Sequence, residues 1–270
     1  MSNLDQRSVE LRRLVLRGLA GGRRGHIGPS LSLVEIIRVL FDDYLKYRHD
    51  EPEWSGRDRF LLSKGHGCLA LYAVLADKGF FPVEELDRFC EVDGILGGHP
   101  EASKIPGVEA STGALGHGLP LAVGMALAAR IRQQSHRVVV VLGDGEINEG
   151  SVWEAALHAG KHGLSSLTVL VDYNKMQSYG ETKEVVDLEP MVGKWQSFNF
   201  AVREVDGHDV EQLRQALTEL PFTCSQPNAI ICHTIKGRGI PFAEGCADWH
   251  HKALLSQDDL EAMSQALKCS

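Results

Sequence analysis

The sequence predicts an α/β fold built on a doubly wound, mainly parallel sheet, and three observations carry that prediction. Short strand-like runs recur at residues 60–62, 138–142, 167–171, 200–205 and 228–235, those at 138–142 and 167–171 apolar and β-branched. Segments with helical spacing lie between most of them. The runs at 138–142 and 167–171 both stop abruptly at polar turns, Gly143-Asp144-Gly145 and Asp172-Tyr173-Asn174. Short unbroken apolar runs flanking a helix read as a βαβ unit with both strands buried on two faces.

Taken in order, residues 5–21 place Leu11, Leu14, Val15 and Gly18 on one helical face. Arg12, Arg13 and Arg17 fall on the other side, and Gly21-Gly22 can end the helix. A rigid Gly/Pro loop at 25–32 carries His26 into an apolar helix at 33–41. The strand at 60–62 ends in Ser63-Lys64-Gly65-His66-Gly67, where a helix at 68–77 begins. Such strand-to-helix turns present N–H groups to an anion. Residues 79–95 read as a connector with one helix at 83–91, started by Pro82. Gly97-Gly98-His99-Pro100 and the glycine loop 111–118 follow, and 119–132 reads as a buried helix.

The central helix carries Val152, Ala155, Ala156 and Ala159 at i, i+3, i+4, i+7 spacing. Residues 179–194 lack periodicity and read as loop-rich, and 200–205 reads as a further buried strand. An amphipathic helix is expected at 210–220, a strand at 228–235, and a last helix from about Ser256 with a Ser-x-x-Asp capping pattern. No repeat or linker interrupts the chain. Residues 1–270 therefore read as one domain, with an N-terminal helical extension over about 1–55.

Composition narrows the class of function. Hydrophobic content of 43% with 24% charged residues is ordinary for a soluble globular protein. A net charge of −8 and a pI near 5.8 argue against nucleic acid or an anionic membrane surface as partner. Cys68, Cys90, Cys224, Cys232, Cys246 and Cys269 are scattered without metal-ligand spacing, which fits free thiols in a reducing compartment. The first residues contain no apolar signal region, and no run is long enough to span a membrane. A cytoplasmic location is expected.

The chemistry concentrates at one sheet edge. Parallel strands deliver Asp144 and Asn174 to the same edge, where open α/β folds hold ligands. A carboxylate and an amide oxygen are hard donors suited to Mg²⁺ or Ca²⁺, and Mg²⁺ completes its shell with water and substrate phosphates. Gly143 and Gly145 let the backbone turn sharply and approach an anion. The local expectation is a metal-bridged diphosphate. His26, His66, His99 and His250 each sit in a Gly- or Pro-rich turn beside an element end. Each alone reads as an ordinary loop histidine. Together with the oxygen donors they suit a polar pocket that handles protons near neutral pH.

GDG followed about thirty residues later by DxN resembles the thiamine diphosphate-binding motif. GHIGPSLS, LSKGHG, GGHP, STGALGHG, GDGExxEG and DYNK occur in the order found in the N-terminal half of transketolases, over residues 22 to about 253. The resemblance implies the thiamine diphosphate-binding fold and a set of roles. Asp144, Asn174 and the Met176 carbonyl would hold Mg²⁺, with Ca²⁺ as an alternative. Gly145, His66 and His250 would contact the diphosphate, Gly113 and Leu115 would lie against the thiamine, and Gly143, Glu146 and Asn174 would also belong to the cofactor site. His26, His99 and His250 would act on the sugar, while Glu149 and Glu154 would join an acidic network crossing a subunit interface. His117 departs from the glutamine usual at its position. His251 stands where a glycine is common, so either His250 or His251 could face the site.

In transketolases the glutamate that activates the aminopyrimidine lies on a following pyrimidine-binding domain. The expectation is therefore a split enzyme in which a C-terminal subunit supplies that glutamate. This chain would be the N-terminal subunit, with two of each forming a heterotetramer. The implied reaction is transfer of a two-carbon ketol unit from a ketose or ketose phosphate to an aldose. The alternative is the α-subunit of a thiamine-dependent 2-oxo acid dehydrogenase, against which GHIGPSLS and SKGHG speak. A nicotinamide-binding Rossmann enzyme would want G-x-G-x-x-G after the first strand, and the loop at 113–118 has the wrong pattern and partners. A non-catalytic partner-binding subunit would not need the metal pair and four histidines.

Overall fold

Alternation along the strands decides the architecture. Val139 and Val141 join one apolar cluster, while Val138, Val140 and Leu142 join another, so this strand is covered on both faces. The computed structural model describes residues 4–268. It contains five parallel strands: β1 (Arg59–Leu62), β2 (Val138–Gly143), β3 (Leu167–Tyr173), β4 (Ala201–Asp206) and β5 (Asn228–His233). They lie in the order β1-β2-β3-β5-β4, and all pairings are parallel. In the β2–β3 register Gly143 stands opposite Asp172, so both polar turns emerge at one edge.

One face is covered by α1 (Gln6–Gly22), α2 (Ile27–Leu31), α3 (Val34–Val39), α4 (Cys68–Asp77) and α9 (Val210–Thr218), with α10 (Gln257–Ala266) closing the same cluster. The other face carries α5 (Gly118–Ile131), α6 (Gly150–His162) and α8 (Met191–Ser197), with Trp195 fully buried. The segment expected as an N-terminal extension thus packs directly into the first face. Ser256 and Asp259 form the expected reciprocal capping box of α10.

Five expectations are corrected. Residues 27–31 are helical rather than loop; Pro29 lies in the first turn, where its missing N–H forfeits no helix bond. Arg12 does not face outward with Arg13 and Arg17 but is fully buried, because Glu35 on α3 neutralises it through two hydrogen bonds. The run at 200–205 forms an edge strand whose Arg203 and Glu204 are exposed. The helix expected at 83–91 is a 3₁₀ segment over Val83–Arg88. The stretch at 179–194 contains α7 (Thr182–Val185) and the start of α8. In addition, α5 buries only one side, leaving Leu121 and Ile131 exposed, the latter 80%.

The five cysteines among the described residues are all free, and Cys269 lies outside them. Among the described residues, no helix is long and apolar enough to cross a membrane.

Candidate functional site

Strand ends and two bridges assemble a cavity of about 280 Å³ at the carboxyl edge of the sheet. β1 delivers Lys64 and His66, β2 delivers Gly143 to Glu146, β3 leads to Asn174 through Ser178, and β5 leads to Lys236. Gly25 and Lys252 exchange backbone hydrogen bonds of 3.0 Å in both directions, which brings the C-terminal segment with His250 against His26. Gly113 has φ +146°, and a Cβ there would meet His99 at 3.0 Å, so only glycine lets this loop close over the ring.

The four expected histidines converge. Ring centroids of His26 lie 5.3 Å from His66, 6.0 Å from His99 and 5.5 Å from His250. Burial pushes His26 down to about 4, helped by His251, and His250 down to about 3, helped by Lys236. His66 is held well below the imidazole range by burial and Lys64, and His99 is lowered by burial. These rings are neutral near pH 7 and can each donate and accept one hydrogen bond. His250 lines the cavity with Nε2 3.3 Å from Ser178 Oγ. His251 stands behind it at 4.5 Å from His26 and does not line the cavity.

Asp144, Asn174 and Met176 all line this cavity. Asp144 is 3% exposed, and burial together with the nearby Asp172 charge pushes its carboxyl up to about 7. A buried acid with no ion pair of its own is the donor a divalent cation would ionise. Two buried polar atoms on the wall, His250 Nδ1 and Gln177 Nε2, have no hydrogen-bond partner among the described residues. The donor set and these unsatisfied atoms fit a metal-bound, highly polar ligand. No cluster of three His, Cys, Asp or Glu suited to a metal occurs among the described residues. The donors gathered here are oxygens of an acid, an amide and a carbonyl, the hard set that Mg²⁺ and Ca²⁺ take.

Glu146 lines the cavity as a brace. Its carboxylate, raised by burial, accepts from Ser63 Oγ and from the Gly116 and Gly143 amides, tying three loops together. Leu115 also lines the cavity. Glu149 and Glu154 do not reach the cavity; both are exposed at the start of α6.

Sequence reasoning passed over two lysines. Lys64 is 1% exposed and ion-pairs with Asp172, whose carboxylate also accepts from Ser32 and Thr234. Burial raises the Asp172 pKa, but Lys64 and these hydrogen bonds bring it below the usual range. Lys236 is 2% exposed and donates to the Gln177 carbonyl at 2.9 Å and to that of Met176 at 3.4 Å. Their signal was present: each lysine lies within two residues of the end of a predicted strand and precedes a glycine.

Residues 4–269 match the family described as transketolase, thiamine diphosphate binding domain. The chain is 37% identical to one of the subunits of an apulose-4-phosphate transketolase from Phocaeicola vulgatus, covering 98% of this chain and 94% of that protein. It is 38% identical to a 6-deoxy-6-sulfo-D-fructose transketolase subunit of Clostridium sp., covering 94% and 93%. A transketolase from Leishmania mexicana superposes with a TM-score of 0.90 at 32% identity, over 99% of this chain and 42% of that one. A Pichia stipitis transketolase in complex with sedoheptulose-7-phosphate gives 0.91 at 30% identity, over 97% and 40%.

Proposed function

The chain belongs to the transketolase family, and from that premise we propose that it is the diphosphate-binding subunit of a two-chain transketolase. The reaction is transfer of a two-carbon ketol unit from a ketose or ketose phosphate to an aldose. The observation that carries this reading is one cavity where Asp144, Asn174 and Met176 meet four neutral histidines. Relatives named as transketolase subunits, matched over nearly their whole length, support it over the 2-oxo acid dehydrogenase reading.

Asp144, Asn174 and the Met176 carbonyl would hold Mg²⁺, or Ca²⁺ in its place. Thiamine diphosphate, when bound, supplies the carbon nucleophile. The chain's own residues orient and protonate. The Gly143–Gly145 turn, His66 and His250 receive the diphosphate end, and Gly113 and Leu115 lie along the thiamine. His26, His99 and His250 hydrogen-bond sugar oxygens and shuttle protons as neutral imidazoles.

The partner completes the site. The two carboxylates lining the cavity, Asp144 and Glu146, are already engaged by backbone and side-chain donors, so neither is free to face the pyrimidine. α5 and α6, which pack against each other, expose Leu121, Ile131 and Leu157, with Glu149 and Glu154 close in sequence. Exposed apolar side chains on paired helices mark an interaction surface. The occupant is the chain bearing the pyrimidine-side glutamate, in a cytoplasmic heterotetramer of two of each. Mild purification from the native host tests this reading. A stoichiometric second chain with bound thiamine diphosphate and Mg²⁺ is expected; a lone chain holding neither would overturn it.

A further inference from the structure

We propose that Arg24 and His251 form a seat at the mouth of the cavity for a phosphate monoester on the far end of the sugar. The pair would set a preference for phosphorylated over neutral sugars. The inference rests on the transketolase reading above and adds two residues and a selectivity to it. The antiparallel bridge between Gly25 and Lys252 builds the seat. Residues flanking such a bridge stand opposite each other, here His26 and His251. Their ring centroids are 4.5 Å apart, the shortest separation in the histidine cluster. His26 lines the cavity and is half-buried, whereas His251 and Arg24 are exposed. His251 is thus the next polar group past His26 on the way out, and a glycine at this position would present no side chain there.

The ribbon around the bridge anchors the backbone that carries both residues. The Leu255 amide donates to the Arg23 carbonyl at 2.7 Å, and the Arg23 guanidinium donates to the Leu255 carbonyl at 3.1 and 3.3 Å. Lys252 lays its ammonium over the Trp249 ring at 4.7 Å. Of these three cations, Arg23 is spent on a carbonyl and Lys252 on an indole. Arg24 makes no hydrogen bond, ion pair or ring contact among the described residues. Burial and the Arg24 charge hold the His251 imidazole below its usual range, so a neutral N–H donor stands beside a fixed cation.

That pair matches one ligand chemistry. The inner histidines, neutral and half-buried, suit hydroxyls and a carbonyl. A guanidinium with all its donors unspent suits a phosphate, which it can grip through two parallel N–H groups. His251 adds a further donor from the side of His26. Inside the cavity the two lining lysines are already engaged, Lys64 by Asp172 and Lys236 by the Met176 and Gln177 carbonyls. The metal donors lie inward of the histidines and His251 lies outward. The group it meets is therefore the end of the sugar that takes no part in bond breaking.

Calorimetric titration of the complex, chain plus companion with Mg²⁺ and thiamine diphosphate, tests this. The probes are four- to six-carbon aldose phosphates and their parent aldoses, which bind as acceptors without turnover when no donor is present. The native complex should bind the best ester about 10-fold or more tighter than its parent at low salt. R24Q should lower that ratio about 5- to 10-fold and H251G about 2- to 5-fold, while R24K keeps part of it. Raising the salt should shrink the ratio more in the native complex than in R24Q, a response that a merely structural arginine would not give. Ratios unchanged in R24Q and H251G, or no preference for the ester in the native complex, overturn the inference. The transketolase reading then still stands on ketol transfer by the native complex. A native complex that neither transfers a ketol unit nor binds any of the sugars overturns both.

Discussion

Gly25 and Lys252 pair across 227 residues through two 3.0 Å backbone hydrogen bonds, and this bridge closes the histidine cluster. Gly25 has φ +146°, and a Cβ there would approach Leu19 at 3.0 Å. Gly25→Ala should therefore cost about 1–3 kcal/mol. It should also loosen His250 from His26. Denaturant unfolding and cofactor titration of the variant check both effects.

Arg12 and Glu35 form a fully buried pair, and His208 Nδ1–H donates to the second Glu35 oxygen at 2.8 Å, its Nε2 accepting from the Ile235 amide. Arg12→Ala strips the buried Glu35 carboxylate of its guanidinium, leaving it only His208, and should destabilise the fold by about 3–5 kcal/mol. The double change Arg12→Met with Glu35→Leu should cost less than Arg12→Ala. A double variant less stable than the single one would contradict that ordering.

The metal should be a precondition for cofactor binding. Thiamine diphosphate with Mg²⁺ at about a hundred times its Kd should add roughly 2.7 kcal/mol to stability. That corresponds to a rise in Tm on the order of 5–10 °C. Chelation, or Asp144→Ala, should abolish the rise. A Tm gain that survives both would remove Asp144 from the metal site.

Acid should weaken the fold through the histidines before it reaches the low carboxylates. Free imidazole titrates near 6.5, whereas burial holds His26 at about 4 and His250 at about 3. Between those values and 6.5 the unfolded chain binds more protons than the folded one. Stability therefore falls as pH falls through that window. Asp144, raised to about 7, works in the opposite direction, so Asp144→Asn is the proper background. In it, unfolding free energy should drop from pH 7 to pH 5 by on the order of 1 kcal/mol per histidine. Adding His26→Gln should flatten the slope; an unchanged slope would mean His26 is not held neutral by burial.

Much of this was legible because the informative patterns are local. The runs ending at Gly143 and Asp172 announced buried parallel strands, and glycines beside His66 and His99 marked turns at the ligand edge. What was missed depends on partners distant in sequence. Arg12 looked solvent-facing because Glu35 and the Arg238 carbonyl, which bury it, are 23 and 226 residues away. Lys64 and Lys236 looked like ordinary loop lysines, since only the fold sets Asp172 beside one and Met176 beside the other. β4 read as buried from its valines, yet its position at the sheet edge exposes Arg203 and Glu204.

The most direct test is ketol transfer by the rigorously pure full chain, with Mg²⁺ and thiamine diphosphate, before and after adding the chain that co-purifies with it. The account predicts no turnover alone and turnover that saturates at one companion per chain. Turnover by the isolated chain would contradict it, because the cavity would then supply its own acid for the pyrimidine.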